Sequence, residues 1–323
     1  MASADLRLMQ AAINLSVRGR GLATPNPNVG CVIVKDGHVI GRGWTQPGGR
    51  PHAEAMALTQ AGDAARGSTA YATLEPCAHE SERGPMCADL LIAAGVAQVV
   101  IAAGDPDPRT NGAGVAKLRA AGIAVTEGVL AHEARAAMAG YVNQREKGRP
   151  FITLKFATSL DGCIALANGE SQWITGPEAR AHGHLERAQS DLILVGGNTL
   201  RTDAPRLDVR LAGLEGRSPC RAVLTRGAVP EGWVALATPQ DVNALDAHYL
   251  LIEGGAGAAA AFLRDDLVDR LLLYRAPVLI GGGRPALGDI GLGQLVDAHD
   301  RWRLASSRRL GKDVLETYYR IRG

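Results

Sequence analysis

Cysteine is scarce in this 323-residue chain, with five residues: Cys31, Cys77, Cys87, Cys163 and Cys220. An odd, sparse set does not make a disulfide framework. It points to a reducing compartment, where thiols act as ligands, nucleophiles or small buried apolar groups. Excess charge is also missing. With 35 Lys and Arg against 33 Asp and Glu the net charge is +2, and there is no basic stripe or tail of the kind that coats nucleic acid. No apolar run reaches the roughly 18 residues that a membrane-spanning helix needs. The opening MASADLRLMQAAINLS lacks the basic segment and apolar run of a secretory signal, so a cytoplasmic location is expected. Beyond an Ala-Gly bias there is no low-complexity tract and no internal repeat.

What is present is the composition of a soluble globular protein, 46% hydrophobic and 21% charged. The length suits two domains of roughly 150 residues each. Leu6, Met9, Ile13 and Val17 fall on one face of an N-terminal amphipathic helix. VGCVIVKDGHVIGRGW reads as a hairpin around Lys-Asp-Gly. Helix and strand then alternate through HAEAMALTQAGDAA, STAYATLEP, CADLLIAAGV, AQVVIAAGDP, VAKLRAAGI and AVTEGV, which predicts an α/β layer. The polar NQREKGRP at 143–150 reads as a linker, giving domains at 1–145 and 150–323. A second α/β unit follows, with strands expected in FITLKFATSLDG, DLILVGG, CRAVLTR, HYLLIEGG, RLLLYRAPVLIGG and DVLETYYRIR.

One constellation carries chemistry. PHAEA places His52 and Glu54 two positions apart at a predicted helix start, Cys77 follows Glu-Pro at a strand end, and Cys87 precedes the next helix. Two thiolates and one imidazole make a three-ligand zinc site with the fourth position open, the catalytic pattern rather than the structural one. Zinc acidifies a water held there, and a nearby carboxylate that is not a ligand moves its proton; Glu54 is placed for that role. The pattern H-x-E…P-C-x-x-C marks zinc deaminases, matched here except that nine residues separate the cysteines instead of two.

TPNPNVGCVIVKDG, PHAEAMAL, ATLEPCAHESERGPMC and DPDPR together resemble the bifunctional deaminase–reductase family of riboflavin biosynthesis, in which the longer cysteine gap is usual. The resemblance implies a cytidine-deaminase-like first domain that hydrolyses an amino group from a phosphoribosylamino pyrimidine. It implies substrate contacts from Asn26, His79, Arg83 and Asp105. Thr45 and the TNGAG continuation at 110–114 depart from the family's usual pattern and blur the pocket rim.

LKFATSLDG, GESQWITG, HLERAQSDLILVGGNTLRTDAPRLDVR, LIEGGAGAAAAF and APVLIGG extend the resemblance to the family's reductase domain, which has the dihydrofolate-reductase fold and uses NADPH. Physically, EGGAGAAAAF is a glycine turn between a strand and an Ala-rich helix, where free N–H groups suit a pyrophosphate. By resemblance Ser171, Arg187, Leu207, Arg210 and Glu253 contact the phosphoribosyl pyrimidine. Ala157, Trp173, Thr199, Asp203 and the turn Gly255, Ala256, Gly257, Ala258, Ala259, Ala260 and Ala261 contact NADPH, with Trp173 expected in an apolar SQWIT strand. Lys155 and Asp161 are the polar candidates for orienting or protonating substrate, Asp161 equally for closing a turn. The implied partner is a small molecule, with no nucleic acid or membrane, in a homo-oligomer.

Two other readings stay open at this level. One is a zinc deaminase acting on a nucleoside or an RNA base, with the second half a binding module. The other is a structural zinc module in a scaffold, with His79 as the fourth ligand.

Overall fold

The apolar runs GCVIVK and HVIGRGW pair as an antiparallel hairpin, β1 (Gly30–Lys35) and β2 (His38–Trp44). Asp36 and Gly37 turn it with φ of 51° and 77°, the left-handed pair that a two-residue hairpin with right-twisted strands requires. The computed structural model describes residues 3–322, and the chain divides into two units between Gly148 and Arg149.

In the first unit the hairpin joins β3 (Thr69–Leu74), β4 (Gln98–Ala103) and β5 (Ala124–Glu127) in the order β2-β1-β3-β4-β5. β1 runs antiparallel to both neighbours, and β3, β4 and β5 run parallel. β1, β3 and β4 are buried almost throughout because helices cover the sheet. These are α1 (Ser3–Ser16), α2 (Ala53–Ala61), α3 (Cys87–Ala94), α4 (Ala113–Ala120), α5 (Ala131–Ala137) and α6 (Ala139–Lys147). The buried face of α1 runs through Met9, Ala12, Ile13 and Ser16, whereas Leu6 is exposed. Small residues let α2 lie directly on β2: a Cβ on Gly41 or Gly43 would sit 2.2 or 2.1 Å from the carbonyl oxygens of Ala57 and Ala53. That contact fixes the start of α2.

The stretch expected to link the domains is different. Asn143 to Lys147 are the last turns of α6, with Tyr141, Val142 and Asn143 buried and Gly148 capping the helix at φ 67°. The helix earns its place through an inward face that its many charged residues conceal.

In the second unit one sheet of eight strands runs β10 (Val234–Leu236), β9 (Cys220–Leu224), β8 (Leu192–Gly196), β11 (Tyr249–Ile252), β6 (Phe151–Thr158), β12 (Arg270–Arg275), β15 (Asp313–Arg320) and β14 (Trp302–Leu310). The strands from β10 to β12 are parallel, and β15 and β14 add antiparallel. β7 (Cys163–Ala165) and β13 (Arg284–Pro285) form a separate short pair. The helices are α7 (Pro177–Ala188), α8 (Gly197–Asp203) and α9 (Ala256–Arg264). One face of the sheet buries Ile152, Leu154, Leu194, Leu250 and Ile252 against Ala259, Phe262 and Leu263 of α9. SQWIT is not a strand: residues 171–174 form an irregular turn, and Trp173 is 63% exposed. Its ring lies under the Arg180 guanidinium, 4.8 Å from the centroid.

Candidate functional site

Three elements of the first unit converge. His52 is the N-cap of α2, Cys87 the first residue of α3, and Cys77 lies three residues beyond β3. His52 Nδ1 stands 3.1 Å from Cys87 Sγ and 3.6 Å from Cys77 Sγ, and the three ligand atoms all lie within 4.8 Å of one another. Tetrahedral zinc with ordinary Zn–S and Zn–N bonds spaces its ligand atoms roughly 3.5–3.8 Å apart, so this donor set fits the ion. Both helices point their N-termini here, and the Cys87 N–H donates to Cys77 Sγ at 3.3 Å, an arrangement that favours thiolate. The hydrogen bond between the two thiol side chains holds Cys77 down to about 4, and that side-chain bond together with burial pushes Cys87 up. A dication held by His52, Cys77 and Cys87 would supply the charge that ionises the second thiol.

Glu54, in the first turn of α2, is buried, and burial pushes its carboxyl up. An upward shift makes the carboxyl a better proton acceptor, the property a group that takes and returns a proton needs. His79 is not part of the ligand cluster; its Nδ1 faces Thr110 Oγ1 at 3.0 Å.

A cavity of about 250 Å³ opens over these groups, and Asn26, His79, Arg83 and Asp105 line it together with His52, Glu54 and Cys77. Asn26 Nδ2 donates to Gly49 O at 2.9 Å and lies 2.8 Å from His52 Nε2, which leaves its Oδ1 for a ligand. Asp105 Oδ1 accepts from Tyr141 Oη at 2.8 Å, and burial pushes its carboxyl up. Arg83 reaches back to the Gly48 carbonyl. Sequence reasoning missed Arg50, Asp107, Arg109, Tyr141 and Arg145, which also line the cavity. Only the DPDPR motif carried a signal for two of them.

The second unit assembles its own polar cluster. The register pairs Ile252 with Leu154, so Glu253 falls beside Lys155, 3.4 Å away. Arg187 from α7 closes on the same carboxylate at 2.7 and 3.0 Å. Burial alone would raise Glu253, but Lys155 and Arg187 outweigh it and hold the carboxyl at about 2. Leu207 is buried at φ 54°, Arg210 is exposed and 3.8 Å from Asp208, and Ser171 is exposed. The Asp161 carboxylate accepts from Ser159 Oγ at 2.6 Å and from the N–H groups of Ile280 and Gly281 at 3.1 and 2.8 Å, a clamp between two loops.

Two glycine turns follow the adjacent strands β8 and β11. A Cβ on Gly254 would meet Ala258 Cβ at 2.9 Å and one on Gly197 would meet Thr225 Oγ1 at 2.7 Å, while one on Gly257 meets nothing within 4 Å. Backbone can therefore approach a ligand closely at the start of α9, where free N–H groups suit a dinucleotide pyrophosphate. Thr199 Oγ1 ties the turns by accepting from Gly255 N at 3.3 Å. Gly255 and Ala256 open the helix, but the side chains of Ala258, Ala259 and Ala260 are buried in the core, leaving only backbone to face a ligand there, and Ala260 and Ala261 lie beyond the first turn. Ala157 is half-buried late in β6, and Asp203 is exposed at the end of α8.

Residues 2–103 match the cytidine and deoxycytidylate deaminase zinc-binding region, and residues 150–315 match the RibD C-terminal domain. The riboflavin biosynthesis protein RibD of Escherichia coli is 40% identical over 96% of this chain and 98% of its own length. The chain belongs to the RibD family. RibD of Mycobacterium tuberculosis is 39% identical over 95% of both chains. The structure of Acinetobacter baumannii RibD superposes with a TM-score of 0.90 at 36% identity, covering 99% of each chain. A diaminohydroxyphosphoribosylaminopyrimidine deaminase/5-amino-6-(5-phosphoribosylamino)uracil reductase from Thermotoga maritima does so at 0.89, with 32% identity and 98% and 99% coverage. Like the family, this chain is a bifunctional enzyme of riboflavin biosynthesis, with a zinc deaminase domain and an NADPH-dependent reductase domain. The scaffold and RNA-base readings fall with that assignment. Among the described residues no helix is long and apolar enough to cross a membrane.

Proposed function

We propose that the chain catalyses two consecutive steps on one phosphoribosylamino pyrimidine, with the roles divided as follows. In the first unit His52, Cys77 and Cys87 hold zinc, which supplies an acidified water as nucleophile when bound. Glu54 takes a proton at its carboxylate and returns it to the leaving amine, so that water and the aminopyrimidine give the oxo-pyrimidine and ammonia. Asn26 Oδ1, His79, Arg83 and Asp105 orient the ring; the shared cavity of these side chains with Glu54 is the observation that carries this reading.

In the second unit the start of α9 and Thr199 receive the dinucleotide, which supplies the hydride. Lys155 orients the ribose C1′ carbonyl or imine and protonates the reduced atom, held in place by Glu253 at 3.4 Å. Ser171, Arg187, Leu207 and Arg210 take the sugar phosphate, with Ala157, Trp173 and Asp203 beside the cofactor. The product of the first step is the substrate of the second, which gives the fusion a chemical reason. The enzyme works as a cytoplasmic homo-oligomer.

The test is one cuvette. The purified zinc-loaded protein, given the diaminopyrimidine ribosyl phosphate and NADPH, is expected to release ammonia and then consume NADPH at 340 nm. Deamination without NADPH oxidation, even when the deaminated pyrimidine is added directly, overturns the two-step reading.

A further inference from the structure

We propose that Tyr141 is a positioning residue for deamination, whose hydroxyl holds one oxygen of Asp105 so that the other meets an N–H edge of the pyrimidine. The inference rests on reading Asp105 as a pyrimidine contact and adds the residue that sets its orientation and its charge.

The two side chains come from separate elements of the first unit. Asp105 lies two residues beyond β4, and Tyr141 is the third residue of α6. They are 7% and 3% exposed, yet both line the cavity over His52 and Glu54. Tyr141 Oη donates to Asp105 Oδ1 at 2.8 Å, and the Asp107 N–H donates to the same oxygen at 2.9 Å. Asp105 Oδ2 accepts from no described residue. The neighbouring buried carboxylate behaves differently: Glu75 uses both of its oxygens on main-chain N–H groups. Asp105 therefore keeps an acceptor where Glu75 has none left. The ring that delivers the hydroxyl is itself held, because Arg145, one turn further along α6, lies over it 5.4 Å from the centroid.

Charge decides what Oδ2 offers a ligand. Burial pushes the Asp105 carboxyl up, and the Asp107 and Glu75 charges push the same way, while the Asp107 N–H and the Tyr141 hydroxyl pull it back. Burial and the Asp105 charge push the Tyr141 phenol up in turn, so its hydroxyl stays a donor. The remaining charged neighbours are Arg109, in the Asp105 loop, and Arg145 on α6; His79 shares the cavity. With two donors already on Oδ1, a proton taken up by Asp105 goes to Oδ2. That turns the acceptor offered to the cavity into a donor, which opposes the N–H groups of an aminopyrimidine. By stabilising the ionised form, Tyr141 acts through Asp105 on the state of the pocket that receives substrate.

The experiment uses the full zinc-loaded chain and follows kcat/KM for ammonia release from the diaminopyrimidine ribosyl phosphate across pH. Zinc content and reductase turnover of the same preparations measure intact folding. Tyr141→Phe keeps the ring and removes only the hydroxyl. The readout is the ratio of wild-type to Tyr141→Phe kcat/KM, in which every titration the two chains share cancels. A hydrogen bond to a charged group is worth about tenfold or more. The ratio should therefore reach about tenfold at the acid end, where Asp105 takes up its proton, and shrink toward one at the alkaline end. Asp105→Asn should lower kcat/KM at least about tenfold, and adding Tyr141→Phe to it should produce no pH-dependent ratio. A ratio independent of pH, or the same pH-dependent ratio with Asn at position 105, overturns the positioning role and leaves the deaminase assignment standing. Wild-type kcat/KM in Asp105→Asn removes Asp105 from the pyrimidine and overturns the contact on which the inference rests. Absence of deamination in the wild type overturns the deaminase reading itself.

Discussion

Glu75 is a buried carboxylate that makes no ion pair with any described residue, and replacing it by glutamine tests how the deaminase pocket is braced. Its Oε1 accepts from the N–H groups of Gly114 and Val115 at 2.9 and 3.2 Å, and Oε2 from those of Gly112 and Asp105 at 3.0 and 3.4 Å. Gly112 caps α4 and Gly114 lies in its first turn, so the carboxylate sits on a helix N-terminus and satisfies donors the helix leaves free. The loop is drawn so close that a Cβ on Gly114 would lie 2.1 Å from the Pro76 carbonyl oxygen. Glu75 thereby joins the strand end that carries Cys77 to the loop that carries Asp105 and Asp107. Glutamine keeps one acceptor oxygen and turns an NH2 group toward two of the four donors. Hydrogen bonds to a charged group contribute ~1.5–3 kcal/mol and each orphaned buried donor costs ~1–3 kcal/mol, partly offset by burying no charge, for a net loss of about 3 kcal/mol. For a unit of this size that lowers the thermal midpoint by roughly 6–12 °C. The assay heats the full chain and follows deaminase and reductase activities separately, because two units need not unfold together. The deaminase midpoint of Glu75→Gln should fall while the reductase midpoint holds. A deaminase midpoint within about 2 °C of wild type, or equal falls in both, would show that this network does not brace the pocket.

Three further outcomes are expected. Glu54→Gln should lower deaminase turnover by ~10²–10⁴-fold while metal analysis still finds one zinc per chain and the reductase is untouched; retained turnover would remove Glu54 from proton transfer. Glu253 has a folded pKa of about 2 against an ordinary 4.5, so its ion cluster stabilises the second unit fully above about pH 4.5 and loses that contribution as pH falls toward 2. The stake is about 3 kcal/mol, read from denaturant midpoints of the reductase transition across that range; a Glu253→Gln chain with the same acid dependence as wild type refutes it. Trp173, exposed beneath Arg180, should change its fluorescence on NADPH binding, and that change should vanish in Trp173→Phe; an identical signal from the variant places the cofactor elsewhere.

The deaminase centre was legible because its ligands stand at the beginnings and ends of elements. His52 and Glu54 share the first turn of α2, Cys77 follows β3, and Cys87 opens α3. Each therefore announced itself in a short motif flanked by helix or strand signals. The hairpin at Asp36-Gly37 was legible for the same reason, since the turn chemistry is local. α6 was not. Its exposed residues Arg145, Glu146 and Lys147 dominate the composition, while the inward Tyr141, Val142 and Asn143 are too few and too mixed to show a helical period. Misreading residues 143–150 as a linker hid one residue of the pocket, Arg145. SQWIT failed in the opposite direction: an apolar pattern suggested a strand, but the large ring is stacked on a guanidinium at the surface instead of being buried.

The reductase half was harder to read for a topological reason. Lys155 lies 98 positions from Glu253, and Arg187 lies 66 positions from it. No local spacing relates them. They meet because β6 and β11 are neighbours in the sheet and α7 returns across it, a crossover set by the parallel order of the whole unit. The low Glu253 pKa is likewise a property of that assembly, since burial alone would raise it and only Lys155 and Arg187 together bring it down. The carboxylate is worth burying only because two cations reach it, and those cations are held still only because the carboxylate is buried. Removing Glu253 should therefore disorder Lys155 and Arg187 together, whereas removing either cation should raise the pKa of Glu253 toward its ordinary value. Both sequence motifs, LKFATSLDG and LIEGG, are needed to place such a cluster, but only the fold says that they touch.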